Sequence, residues 1–164
     1  MNIVIINTGG TFNKIYNPIN GNLEVPKDSF AVEQIIDNFG TNIEFEIINI
    51  ISKDSLDFTK NDRKEIANKI LEKNNKYFII IHGTDTINLS AKYLANKIQN
   101  KTVVFIGAMY PISINPFDGV LNFGVAIGSL PHLKNGIYIS MSGLCINHKK
   151  ITKNREIGKF VAKN

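Results

Sequence analysis

Three short runs, "IVII" at 3–6, "YFIII" at 77–81 and "TVVFI" at 102–106, are apolar at almost every position. A strand with one wet face alternates apolar and polar residues, so a strand without alternation has to be covered on both sides. That is the condition of strands in a parallel sheet with helices above and below it. Strands are therefore predicted near Asn2 to Ile6, Glu44 to Ile50, Tyr77 to His82, Thr102 to Ile106 and Gly136 to Ser140.

The stretches between them carry a different period. Val32, Ile35, Ile36 and Phe39 fall at i, i+3, i+4 and i+7; Ile66, Ala67, Ile70 and Leu71 repeat a similar stripe, and Leu89, Tyr93, Leu94 and Ile98 make a third. Val120 to Leu130 is apolar nearly all round and reads as a well-covered fourth helix. Thr59 with Asp62 three residues on is a helix-start signal, and Gly40 a stop. The order β-α-β-α-β-α-β-α-β predicts an α/β fold with a doubly wound, mostly parallel sheet of Rossmann-like or flavodoxin-like type. The last stretch, from Ser142 to Phe160, has no helical stripe and reads as a C-terminal hairpin or arm.

A chain of 164 residues suits one domain better than two, since halves of that size bury too little surface. Residues 1–164 are therefore read as a single domain. The net charge of +5 is spread over lysines with no interleaved aromatic stripe, which argues against nucleic acid as a partner. The basic group His148, Lys149, Lys150, Lys153, Arg155 and Lys159 is the local exception. No run reaches the roughly 20 apolar residues of a membrane span. The single cysteine, Cys145, and a start without a leader pattern make a soluble cytoplasmic protein the expectation.

Open parallel sheets bind ligands beyond the carboxyl ends of their strands. Four loops belong there: "NTGGTF", "SKDSLD", "HGTDT" and "GAMYP". Capping and turn chemistry accounts for small and hydroxyl residues in any one of them. Together they would deliver Thr8, Thr11, Ser52, Asp54, Thr84, Asp85 and Thr86 to one crevice. A hydroxyl nucleophile needs an activating base and N–H donors for an oxyanion, and Gly9 and Gly10 suit such a donor loop. No phosphate-loop pattern is present, the histidines lack metal-ligand spacing, and Cys145 has no Cys-x-x-Cys partner, so no cofactor or metal is expected.

Taken in order, "TGGTF", "HGTDT", "GAMYP", "DGVLNF" and "ITKNREIGKF" resemble the bacterial-type L-asparaginases, the threonine amidohydrolases, from Ile3 to about Phe160. The resemblance covers the catalytic N-terminal domain and stops where two-domain members continue into a second, smaller one. It implies that Thr11 attacks a side-chain amide, releasing ammonia from L-asparagine by way of an aspartyl ester that water then hydrolyses. Thr84, Asp85 and Lys153 would form the activating set, with Tyr16 as the tyrosine of a lid running from Asn13 to Val25. Asp85 would take the substrate's ammonium and Ser52 its carboxylate, among binding positions Gly10, Ser52, Lys53, Asp54, Gly83 and Ala108, the last through its carbonyl.

Three departures accompany the resemblance. Lys53 stands where relatives carry glutamine, and Tyr110 replaces an arginine of "GAMRP". The smaller domain, which supplies substrate contacts across a subunit interface in two-domain relatives, is missing, so a homo-oligomer, dimer or tetramer, is expected. L-glutamine hydrolysis, a silent amino-acid-binding module and an amidotransferase subunit are the competing functions.

Overall fold

The computed structural model describes residues 1–163. Strand β1 (Asn2–Gly9) leads through a 3-10 turn (Thr11–Asn13) into a small hairpin, β2 (Ile15–Tyr16) and β3 (Leu23–Glu24). Then follow α1 (Phe30–Asp37), β4 (Glu44–Lys53), α2 (Lys60–Glu72), β5 (Tyr77–Ile81), α3 (Ile87–Ala95), β6 (Thr102–Ile106), α4 (Pro116–Ser129) and β7 (Gly136–Met141). The chain finishes with β8 (Leu144–Asn147), β9 (Ile151–Asn154) and β10 (Lys159–Ala162).

The main sheet has the order β4-β1-β5-β6-β7-β8, parallel except for β8, which runs antiparallel to β7. Numbered by chain order, its parallel strands lie 2-1-3-4-5, the flavodoxin-like doubly wound arrangement. The two faces divide the apolar runs residue by residue. Ile3, Ile5, Ile79, Ile81, Val104 and Ile106 meet Val32 and Ile35 of α1 and Phe123 and Ala126 of α4. Val4, Ile6, Phe78, Ile80, Val103 and Phe105 meet Ile66 and Ile70 of α2 and Ala91 and Leu94 of α3. The lack of alternation is thus explained, because each buried Ile, Val or Phe, on either face, stabilises the fold by roughly 1.5–3 kcal/mol.

Thr59 caps α2 as expected, with Thr59 Oγ1 accepting from Asp62 N and the Asp62 carboxylate accepting from Thr59 N. Several expectations need correction. Helix α1 closes at Asn38, whose N–H reaches Ile35 O, so Gly40 is not its stop; Phe39 lies past the helix and packs on the Phe123 ring, 5.7 Å between centroids. Leu71 and Leu89 face solvent, and Ile98 is buried although α3 ends at Ala95. Helix α4 is covered on one side only: Phe117 is 81% exposed and Leu121 51%. Its inward face is chosen by Asn122, which donates to Gly107 O (3.0 Å) and accepts from Ser142 N (2.8 Å), turning Leu121 outward. The C-terminal stretch divides, β8 joining the main sheet and β9 pairing with β10 in a separate hairpin.

Candidate active site

Four loops meet at the carboxyl edge of the sheet, and glycines set how closely. Gly9 and Gly10 adopt φ +97° and +75°, a region costly to residues with a β-carbon. A β-carbon on Gly9 would lie 2.7 Å from Lys53 O, and one on Gly10 would lie 2.5 Å from both Cα and N of Gly83. Gly83 in turn backs onto Ser55, and Gly107 onto His82 O, each at 2.6 Å from such a carbon. The loops after β1, β4, β5 and β6 are therefore packed backbone against backbone. The amide of Gly10 donates to Lys53 O (3.0 Å), so it serves this packing and is not a free donor for an oxyanion.

Because Gly10 touches Gly83, the residues that follow, Thr11 and Thr84, occupy neighbouring positions on two contacting loops. Thr11 is half-buried and opens the 3-10 turn, behind which buried Asn13 donates to Asn7 Oδ1 (2.8 Å) and Gly9 O (2.9 Å). Thr8 does not share the crevice: it is fully buried and its hydroxyl is spent on Ile81 O at 2.6 Å.

Lys153 comes from β9, far along the chain, yet its Nζ donates to Thr84 Oγ1 (2.8 Å) and Asp85 Oδ1 (2.9 Å). Arg155 Nη1 lies 2.9 Å from the same carboxylate oxygen. Partial burial pushes the Asp85 carboxyl up, but the Lys153 hydrogen bond and the charges of Lys153 and Arg155 outweigh it and hold the group below the usual carboxylate value. A hydroxyl, an ammonium and an ionised carboxylate are thus in direct contact. Since Thr84 Oγ1 accepts from Lys153, its own O–H remains available to donate.

The remaining expected residues are placed less uniformly. Ala108 and Gly83 are buried in the loop packing. Tyr16 is 59% exposed on the β2–β3 hairpin. Ser52 lines an outer groove with Lys27, Asn49 and Asp62, and the Lys53 side chain turns the same way, to Asp62 Oδ1 at 2.7 Å. Asp54 Oδ2 pairs with Lys14 Nζ at 2.7 Å, a tie between two loops that sequence reasoning missed. Burial pushes the Asp54 carboxyl up, while hydrogen bonds from Lys14 and Leu56 N–H bring it below its ordinary value.

Ser55 lies outside the expected set of site residues. Its side chain is buried against Gly83, and its Oγ has no hydrogen-bond partner among the described residues. A buried, unpartnered hydroxyl costs free energy unless a ligand satisfies it. "SKDSLD" offers two serines, and only burial separates them.

Behind the loops, His82 is fully buried against the Phe58 ring at 4.5 Å. Ser90 Oγ accepts from Arg63 Nε (3.1 Å), so its own O–H points to His82 Nε2 (2.8 Å); Nδ1 then carries the proton and donates to Gly83 O (2.8 Å). Burial, helped by the Arg63 charge, lowers the His82 pKa to about 4. The unfolded chain takes up this proton near pH 6.5, the folded one only near 4, so the stabilisation is complete above 6.5 and is lost as pH falls through that window. The expected loss is about 3 kcal/mol between these limits. Urea midpoints measured from pH 7.5 to 4 check it, and a flat profile would count against this histidine staying neutral.

The mostly parallel sheet, with the Thr84–Asp85–Lys153 cluster at its carboxyl edge, defines the class: a doubly wound α/β domain. The family model "Asparaginase, N-terminal" matches residues 2–158, and the chain belongs to that family. Over 164 aligned residues it is 30% identical to L-asparaginase 2 of Escherichia coli (strain K12), covering 93% of this chain and 46% of that protein. The solved thermostable L-asparaginase of Thermococcus kodakarensis superposes with a TM-score of 0.87 at 22% identity, covering 100% of this chain and 52% of that one. The probable cytoplasmic L-asparaginase of Campylobacter jejuni gives 0.74 at 26% identity, over 98% and 51%. The chain spans about half the length of these relatives.

Proposed function

We propose that the chain hydrolyses the side-chain amide of L-asparagine to L-aspartate and ammonia. Thr11 Oγ adds to the amide carbon, the C–N bond breaks, and the threonine proton leaves on the nitrogen as ammonia; water then cleaves the ester and restores the hydroxyl. Thr84 and Lys153 handle the proton, and Asp85 takes the ligand's α-ammonium through a charge-assisted bond. Ser55, in place of Ser52, gives its free hydroxyl to the α-carboxylate. Tyr16 and the Asn13–Val25 segment act as a lid that closes over bound ligand.

The single observation that carries this reading is the contact of Lys153 Nζ with both Thr84 Oγ1 and Asp85 Oδ1, beside the Gly10–Gly83 junction that delivers Thr11. The chain works in the cytoplasm as a homo-oligomer, a dimer or tetramer, in which a neighbouring copy covers the crevice. L-Glutamine differs by one methylene, worth about 1–3 kcal/mol of discrimination, and is the competing substrate.

Ammonia release by the purified chain, with each amide in turn, tests the proposal. Release from asparagine at a higher kcat/KM than from glutamine is expected. Tight aspartate binding without release from either amide would make the chain a silent binding module.

A further inference from the structure

We infer that Arg155, which pairs with the Asp85 carboxylate, is displaced when a ligand brings its own ammonium group to it. The inference rests on the proposed amino-acid reading of the site. Lys153 Nζ and Arg155 Nη1 bind the same oxygen, Asp85 Oδ1, each at 2.9 Å. They are not equivalent tenants. The Lys153 side chain is 16% exposed and has a second partner in Thr84, whereas that of Arg155 is 68% exposed.

Arg155 stands on the β9–β10 turn, and that turn is pinned without it, since Asn154 Oδ1 accepts from Glu156 N (2.9 Å) and Ile157 N (3.4 Å). The guanidinium can therefore leave Asp85 while the turn stays formed. A ligand ammonium arriving at this carboxylate is opposed by both resident cations, and the exposed one yields because water solvates it at little cost. Arg155 thus acts as a placeholder on Asp85: it weakens, by competition, ligands that bring an ammonium and gives no such handicap to those that lack one.

Calorimetric titration of the full chain with L-aspartate and with succinate, which lacks the ammonium, tests this. Arg155→Gln should tighten aspartate by up to about five-fold, the ceiling for an exposed ion pair, while succinate does not tighten. Arg155→Lys should return aspartate affinity to near the wild-type value. With asparagine as substrate, the same factor should fall on KM and not on kcat. Unchanged aspartate affinity in Arg155→Gln overturns the inference. Weakening of both ligands also overturns it, because Arg155 would then be an anion contact. A wild-type chain that binds neither ligand and releases no ammonia removes the amino-acid reading itself, and this inference with it.

Discussion

Thr11→Ala is expected to lower ammonia release from asparagine at least a thousand-fold, on the order of what removal of a nucleophile costs when the surrounding site stays intact. The loss belongs to the chemical step. Thr11 is half-buried at the head of a 3-10 turn whose hydrogen bond, Lys14 N–H to Thr11 O at 3.1 Å, is made by the backbone and survives the change. The unfolding free energy from urea titration should therefore change by less than about 1 kcal/mol. Thr11→Ser keeps the hydroxyl and should recover part of the rate. Undiminished turnover in the alanine variant would assign the attack to another group, with Thr84 the nearest candidate.

Gly10→Ala is expected to do the opposite, damaging the fold and, through it, the site. The added carbon would sit 2.5 Å from Gly83 Cα and N, which are backbone atoms and cannot rotate aside, and φ at position 10 is +75°. The conformational cost is about 1–2 kcal/mol and overpacking adds about 1–3, so a total of about 2–5 kcal/mol is expected. Gly21 supplies the contrast: it also has positive φ, +74°, but nothing lies within 4 Å of its virtual β-carbon, so Gly21→Ala should cost only the conformational part. Thermal or urea unfolding of the two variants measures the difference. Equal losses would show that backbone conformation, and not loop contact, is what position 10 requires.

These two residues also mark where sequence reasoning succeeded and where it stopped. The pair of glycines did signal a close approach to the backbone. What approaches is a second stretch of backbone, Gly83 and Lys53, with the Gly10 amide consumed in the contact. Gly-Gly spacing states that room is needed and is silent about the occupant. Lys153 lay in a basic tail indistinguishable by composition from a solvated surface; only the β9–β10 hairpin, folding back on the loop after β5, pairs it with Asp85.

By itself, the sequence determined the doubly wound α/β sheet, because runs without alternation have no stable home except between two layers of helices. It also determined which loops carry polar groups, since strand direction places them at one edge. Tertiary structure alone buried the Ser55 hydroxyl without a partner while leaving Ser52 on an outer groove, sent the Lys53 side chain to Asp62, exposed Leu121 and Phe117 on α4, and put Arg155 beside Asp85. Periodicity is a property of one segment, whereas burial and ion pairing depend on what other segments leave open, and that is set only when the loops have packed.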